Sequence, residues 1–269
     1  MIIRCYSLVL VSLVVALSHG FVKAKLDTRS VRDKLFKCHL LNKNHDKIFH
    51  RILNEIKLDK TKKILIPGIA LCSIKGTNST SKIDREMFVK SIAAVSNYVN
   101  HIIMEHRAFV CMIRDKRKAK IKLTKSEEET FSMMCSFYQS NAIDVLLQRI
   151  APIPISLAVA QASLESNFGN NTSMHQKNAF FGMMQNRRKL LAFDTLLESV
   201  VAYAKTLNVN PRYNGFRKVR DKMLGSSQKI DGLKLASAIK GYAENKAYEK
   251  HLTKLIKEYN LVSLDRAYS

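Results

Sequence analysis

Apolar residues recur at every third or fourth position along most of the chain, a spacing that is typical of helices. The clearest stretch begins at Phe88 and ends at Ile113. The residues on its core-facing side would be Phe88, Ile92, Val95, Val99, Ile102, His106, Phe109 and Ile113. Because these side chains share one helical face, the pattern predicts one long helix packed against a core.

Two shorter helices are predicted after this long one. Ser126 is followed three residues later by Glu129, which is the pattern of a capping box, so a helix should begin there. Its apolar face would be formed by Phe131, Met134, Cys135 and Tyr138. The segment Asn141–Ile150 predicts the next helix.

A break and a central helix follow. Pro152 and Pro154 donate no backbone hydrogen bond, and each pushes the residue before it out of the helical region. Pro154 suits the first turn of the next helix, which Ile155–Phe168 would form and Gly169 would end. That stretch is apolar on almost every side, so we expect it to be buried at the centre of the domain.

Glu165 stands in the last turn of this predicted central helix. Two effects would raise the pKa of its carboxyl group, namely the negative end of the helix dipole and the loss of hydration. A carboxyl group that keeps its proton near neutral pH can act as a general acid. The alternative is a glutamate that points into water at a helix end.

The composition agrees with a mainly α protein. Of the 269 residues, 46% are hydrophobic and 25% are charged, which excludes a disordered chain and a membrane protein of many spans. Nine glycines and four prolines are too few for a sandwich or barrel of many short strands. Residues 21–58 are rich in lysine and carry apolar residues at helical spacing, and the polar segment Gly76–Ser81 is the best candidate for a domain boundary.

The first 20 residues have the three parts of a secretory signal peptide. They contain one cation at Arg4, an apolar run over Ser7–Leu17 and small residues over Ser18–Gly20. The apolar run is shorter than the roughly 20 residues that a membrane-spanning helix needs. We therefore expect export to the periplasm or cell envelope, with an N-terminal anchor helix as the alternative.

The chain is strongly basic, with 45 lysines and arginines against 22 acids and a formal net charge of +23. Anionic polymers of the envelope or a membrane surface are therefore candidate partners. The basic runs Lys60–Lys63 and Arg114–Lys122 are not interleaved with aromatic residues, so we expect no nucleic-acid partner. Solvated loops are the alternative reading of both runs.

Cysteine and histidine positions assign neither a metal nor another cofactor, because no spacing is typical of ligands on one face. Four cysteines lie outside the signal segment, namely Cys38, Cys72, Cys111 and Cys135. In an oxidising compartment they would permit two disulfides, and their pairing stays open. Each could equally be an inert core residue.

Four blocks of the sequence resemble, in the same order, motifs of the bacterial glucosaminidase family. Ala160–Gly169 resembles the AQAALESGWG signature, and Asn178–Met183 resembles the NNLFGM block. Residues 193–220 are similar to a run that marks the Bax-like branch of this family, and residues 241–261 to its closing tyrosine motif and last helix. The resemblance extends over about residues 84 to 262 and is weaker at its upstream end.

The resemblance implies a lysozyme-like, mainly helical domain that cleaves the β-1,4 bond after N-acetylglucosamine in peptidoglycan glycan strands. By position, Glu165 would protonate the leaving glycosidic oxygen, Tyr242 would form the floor of the groove, and Phe181 and Gly182 would form a wall against the sugar. The other positions assigned to substrate binding on the same basis are Asn178, Gln161 and Glu244.

The chain departs from the family's pattern between Met184 and Phe193. There the family usually has a longer loop or β-hairpin, which in other members supplies a second carboxylate, whereas this segment contains no acid. We therefore expect the hairpin to be reduced or absent. The remaining candidates for a second carboxylate are Asp194, Glu198 and Glu244, and Glu198 also fits a capping box with Thr195.

We expect Glu165 to be the single essential acid, with the acetamido group of the substrate or a positioned water in the second role. Two other functions stay open: a catalytically weakened cell-wall-binding or scaffold protein, and a lytic transglycosylase. The expected organisation is a signal peptide at 1–20, a basic helical extension and linker at 21–83, a helical lead-in at 84–150 and the glucosaminidase domain at 151–264.

Overall fold

The computed structural model describes residues 85–186, 189–226, 230–239 and 247–268. The predicted signal peptide, the basic extension and the Gly76–Ser81 linker lie outside the described residues, as do Tyr242 and Glu244. Within the described ranges the chain is mainly helical, as predicted, and its strands form one small sheet.

The elements follow in chain order and are labelled by their bounds. They are α1 (Arg85–Lys118), α2 (Lys125–Phe137), α3 (Ile143–Arg149), α4 (Ile155–Ser166), α5 (Thr172–Gln176), β1 (Met184–Asn186), β2 (Lys189–Leu190), α6 (Leu196–Val209), a 3-10 turn (Pro211–Tyr213), α7 (Asn214–Gly225), α8 (Gly232–Ala236), α9 (Tyr248–Glu258) and a C-terminal 3-10 segment (Leu261–Tyr268).

Helix α1 confirms the predicted long helix. Its apolar stripe is buried from Phe88 to Ile113, with Phe109 half-buried. Glu86 lies in its first turn and three basic residues, Lys116–Lys118, lie in its last turn. Charges of these signs oppose the partial charges of the helix ends and stabilise them.

Helix α2 begins at a different cap from the predicted one. Thr124, rather than Ser126, is the N-cap: its side chain accepts a hydrogen bond from the Glu127 backbone N–H at 3.2 Å, and the Glu127 carboxylate accepts one from the Thr124 N–H at 2.9 Å. Both Thr124 and Ser126 have a glutamate three residues later. The earlier register is also supported by an ion pair of 2.5 Å between Lys116 and Glu127.

Helix α4 is the buried central helix that the sequence predicts. Every residue from Ile155 to Ser163 is buried. Helices α1, α8 and α9 and the C-terminal 3-10 segment all pack against it. Because small residues such as Ala158 and Ala162 let neighbouring helices approach closely, this apolar helix is surrounded by protein on most sides.

Helix α4 ends at Ser166, two residues before the predicted end. Asn167, Phe168 and Gly169 all have a positive φ, of 50°, 53° and 77°. The Ser166 hydroxyl accepts a hydrogen bond from the Gly169 N–H at 2.8 Å. Asparagine tolerates the left-handed conformation, so the helix stops at Asn167 instead of continuing to the glycine.

Buried polar side chains hold the N-terminal end of α4. Before it, Arg220 donates to the backbone oxygens of Ala151 at 3.1 Å and Gln148 at 3.1 Å, and to Asn208 Oδ1 at 2.6 Å. At its start, Asp265 from the C-terminal 3-10 segment accepts hydrogen bonds from the α4 backbone and side chain at Ser156. These contacts fix the position of the helix that carries Glu165.

Two of the four candidate disulfide cysteines lie within the described ranges. Cys111 and Cys135 are both half-buried and both free. Within those ranges no helix is long and apolar enough to cross a membrane.

Candidate active site

Glu165 lies in the last turn of α4 and is half-buried. Burial raises the pKa of its carboxyl group above the ordinary value, and a hydrogen bond with Tyr248 acts in the opposite direction. The sequence predicts this direction. Because the carboxyl group is partly dehydrated, it holds its proton to a higher pH than a free glutamate, which is what a general acid requires.

A relay of hydrogen bonds runs from Glu165 into the core. Tyr248, the first residue of α9, is hydrogen-bonded to Glu165. The Tyr248 hydroxyl accepts a hydrogen bond from Gln161 Nε2 at 3.1 Å, and the hydroxyl of Tyr203 on α6 donates to Gln161 Oε1 at 2.6 Å. Gln161 and Glu165 lie four residues apart on α4, which places both on the same helical face.

A third tyrosine borders the carboxyl group from the 3-10 turn. The pKa of Tyr213 is raised mainly by burial and also by the negative charge of Glu165. Three buried tyrosines from three elements, namely Tyr203, Tyr213 and Tyr248, therefore surround this end of α4. Of the three hydroxyl groups, that of Tyr248 bonds Glu165, and that of Tyr203 bonds Gln161.

Gly182 lies directly beside the acid. Its φ is +62°, and a Cβ added there would lie 2.8 Å from Glu165 Oε2. Two independent reasons therefore require glycine: the left-handed backbone and the space that the carboxylate occupies. The sequence resemblance implies that Gly182 forms a wall against the sugar. In the structure the Gly182 backbone lies against the Glu165 carboxylate.

The structure places three other predicted contact residues inside the scaffold. Gln161 is fully buried in the relay. Asn178 is also fully buried, and its Nδ2 donates to the backbone oxygens of Phe193 at 2.9 Å and Asp194 at 3.1 Å. Phe181 is 1% exposed, and its ring stacks on Tyr203 with centroids 4.1 Å apart. These side chains support the loop and the relay around Glu165.

The segment that contains this site matches a known protein family. Residues 142–261 match the family model described as mannosyl-glycoprotein endo-beta-N-acetylglucosaminidase. The match supports a glucosaminidase-like domain over these residues, which make up less than half of the chain. That segment contains the whole described site, from Gln161 to Tyr248.

One curated relative that the chain resembles is "Protein bax" of Escherichia coli (strain K12), with 31% identity over 120 residues. The aligned region covers 40% of this chain and 44% of that protein, so the chain spans less than half the length of this relative. This likeness supports the Bax-like branch of the family that the sequence motifs indicate. No solved structure matches the chain.

The matched segment carries a short hairpin where the sequence predicts a reduced or absent one. Strand β1 pairs antiparallel with β2, from Met184 opposite Leu190 to Asn186 opposite Lys189, with an irregular register between the two pairs. The hairpin is therefore reduced but present. Its sequence contains no acid, so it supplies no second carboxylate.

The other candidate acids near the site have different surroundings. The Thr195 side chain accepts a hydrogen bond from the Glu198 N–H at 3.2 Å, while the Glu198 carboxylate accepts one from the Asp194 N–H at 2.9 Å. Glu198 thus helps to cap α6. Its carboxylate accepts from the N–H of Asp194, one residue before the Thr195 N–H that the predicted capping box would use. Asp194 is exposed, and Glu244 lies outside the described residues.

Sequence reasoning missed the role of the tyrosines. Tyr203, Tyr213 and Tyr248 all fall inside the motif blocks, yet none was assigned to the site. The signal that could have found Tyr248 is its place at the start of the last helix, close in sequence to Tyr242. In the described ranges no three His, Cys, Asp or Glu side chains form a group that could hold a metal ion.

Proposed function

We propose that this protein is an exported peptidoglycan hydrolase that cleaves the β-1,4 bond after N-acetylglucosamine, with Glu165 as the general acid. The observation that carries the proposal is the setting of Glu165 in a glucosaminidase-family domain. Its carboxyl group is half-buried, has a raised pKa, and is placed between the Tyr248 hydroxyl and the Gly182 backbone.

The chemical step needs a proton on the leaving glycosidic oxygen. A protonated Glu165 supplies it, and such transfer is typically worth about 10²–10⁴-fold in rate. The resulting carboxylate then retains the hydrogen bond of Tyr248, which stabilises the negative charge that the transfer leaves behind.

The second catalytic role falls to the substrate or to water. Glycosidases usually place two carboxyl groups roughly 5–9.5 Å apart. Among the described residues, the hairpin contributes no acid, and Glu198 is engaged in capping α6. We therefore infer that the acetamido group of the substrate, or a positioned water, completes the reaction. Glu244 remains the candidate for a second carboxylate outside the described ranges.

Two residues are proposed to touch the sugar. The Gly182 backbone lies beside the acid and is only half-buried, and Tyr242 belongs to the closing tyrosine motif that precedes α9. Gln161, Asn178 and Phe181 are proposed to act behind them, because each is buried and holds a neighbouring part of the site.

The experiment is a digest of purified sacculi followed by mass spectrometry of the muropeptides. A reducing N-acetylglucosamine end supports the proposed hydrolase. The same digest with Glu165→Gln should lose at least about 100-fold in rate. Glu129→Gln, at an exposed glutamate on α2, is the matched control and should retain full activity.

A lytic transglycosylase is the second candidate, and the acid-free hairpin favours it because that reaction also uses one glutamate. An anhydro-muramyl end in the digest would establish this alternative. Absence of any product, together with retained binding to sacculi, would instead establish a cell-wall-binding protein without turnover.

A further inference from the structure

The Tyr248 hydroxyl lies between two polar partners. Gln161 Nε2 donates to it at 3.1 Å, and it is also hydrogen-bonded to Glu165. A phenol hydroxyl has a single proton. Because the contact with Gln161 uses the oxygen of Tyr248 as an acceptor, the Tyr248 proton is available for the Glu165 carboxylate.

The orientation of the Gln161 amide decides this direction. An amide presents an acceptor oxygen at one end and a donor NH₂ group at the other. The Tyr203 hydroxyl donates to Gln161 Oε1 at 2.6 Å, so the NH₂ group faces Tyr248. Gln161 is fully buried, and the Tyr203 ring is stacked on Phe181 with an angle of 14° between the ring planes.

We propose that Tyr203 and Gln161 are positioning residues that turn the Tyr248 hydroxyl proton toward the Glu165 carboxylate. This inference rests on the proposed function of Glu165 as the acid. Because Gln161 and Tyr203 fix the orientation of the Tyr248 hydroxyl, its proton already points toward the Glu165 carboxylate that proton transfer leaves behind. The site then needs no reorganisation during the reaction.

The groups around this end of α4 leave Tyr248 as the main hydrogen-bond donor to the acid among the described residues. Tyr248 from α9 is hydrogen-bonded to Glu165, and Tyr213 from the 3-10 turn, with its partner Arg212, interacts with the charge of Glu165. Tyr203 from α6 bonds Gln161, and the Arg85 guanidinium at the start of α1 lies over the Phe168 ring. Asp265 binds α4 at its opposite end.

The test measures the pKa of Glu165 in the full chain by ¹³C NMR of its side-chain carboxyl group. The resonance is assigned by its loss in Glu165→Gln. Tyr248→Phe removes the donor to the charged form, so the pKa should rise by about one unit. Tyr203→Phe keeps the stacked ring but frees the Gln161 amide to flip, so the pKa should rise by a smaller amount.

The double variant separates a relay from two independent effects. If Tyr203 acts through Gln161 and Tyr248, then Tyr203→Phe should add nothing once Tyr248 is phenylalanine. Tyr138→Phe is the matched control, because Tyr138 is equally buried and bonds His106 elsewhere in the core. It should leave the pKa of Glu165 unchanged.

An unchanged or lower pKa in Tyr248→Phe would overturn the proposed direction. A double variant whose rise equals the sum of the two single rises would overturn the coupling through Gln161. The titration of Glu165 needs no substrate, so it tests the proposed relay even if the protein does not cleave sacculi. Conversely, an active enzyme with an unmoved pKa would leave the proposed function standing and remove the relay.

Discussion

At the scale of single residues, the acid is defined by what surrounds it on two sides. The Tyr248 hydroxyl bonds one part of the Glu165 carboxyl group, and the Gly182 backbone lies so close to Oε2 that no side chain fits there. Burial raises the pKa of Glu165, and the hydrogen bond limits the rise. The ionisation of one carboxyl group therefore depends on a tyrosine and a glycine from different parts of the chain.

Gly182→Ala should reduce muralytic activity by at least about tenfold, because a Cβ displaces the carboxylate and the left-handed backbone costs about 1–2 kcal/mol for any other residue. Digestion of labelled sacculi measures the loss, and circular dichroism checks the fold. Gly215→Ala is the matched control, since a Cβ there meets nothing within 4 Å. Full activity of Gly182→Ala would show that the glycine does not position the acid.

Glu165→Gln should make the protein more stable than the wild type at alkaline pH. The raised pKa means that the contribution of Glu165 to the free energy of unfolding is fully present below the unfolded value of about 4.5 and is lost as the pH rises through the folded value. Gln carries no charge, so the Tm difference between the two proteins should grow from pH 4 to pH 8. A Tm difference that is constant across this range would contradict the burial of the ionised form.

At the scale of elements, α4 is fixed at both ends. Its C-terminal end stops in a left-handed turn directly after Glu165, and its N-terminal end is tied to the C-terminal 3-10 segment. Asp265 also accepts a hydrogen bond from the Gly232 N–H at 3.0 Å, which brings the start of α8 to the same point. The helix that carries the acid is thus anchored by residues more than 60 positions further along the chain.

Gly232→Ala should lower the free energy of unfolding by about 1–3 kcal/mol, because the new Cβ would lie 2.0 Å from the Ser156 hydroxyl oxygen. Urea unfolding measures the change. Ser156→Ala removes that oxygen, so the double variant should be less destabilised than the sum of the two single variants. Strict additivity would show that the two residues are not in contact.

At the scale of the whole molecule, Arg220 links α7 to the α3–α4 connection and to α6. Its guanidinium group is fully buried, and burial lowers its pKa to about 9. The guanidinium donates to neutral oxygens on Gln148, Ala151, Pro152 and Asn208. Because the guanidinium group is planar and carries several N–H donors, it can bond oxygens from three segments of the chain at once.

Arg220→Lys should lower the free energy of unfolding by about 2–4 kcal/mol, because one ammonium group cannot reach all of these oxygens and stays charged in the core. Thermal and urea unfolding measure the loss. Arg114→Lys, at a half-buried arginine on α1, should change stability by less than about 0.5 kcal/mol. Equal effects at the two positions would contradict the linking role of Arg220.

The sequence predicted the helices better than their ends. The α1 stripe is a long periodic pattern and α4 is a continuous apolar stretch, and both can be recognised from the sequence alone. The cap of α2 and the end of α4 were wrong by two residues, because Thr124 and Ser126 fit the same motif and because an asparagine took the left-handed position before the glycine. Such choices depend on tertiary contacts, such as the pair between Lys116 and Glu127.

The site was predictable in part. Glu165 and Gly182 were identified through motifs, and the raised pKa of Glu165 followed from its place at the end of a buried helix. The relay was not, because Tyr203, Gln161 and Tyr248 come from three helices whose meeting is a property of the packing. Their spacing of 42 and 87 residues carries no local signal.

The most direct measurement compares Glu165→Gln with the wild type on two substrates. One is purified sacculi, whose leaving sugar oxygen needs a proton, and the other is a dinitrophenyl glycoside of an N-acetylglucosamine oligomer, whose leaving group departs without one. If Glu165 is the general acid, the variant loses at least about 100-fold in rate on sacculi and less than about tenfold on the aryl glycoside. Equal losses on both substrates, or no loss on sacculi, would contradict that role.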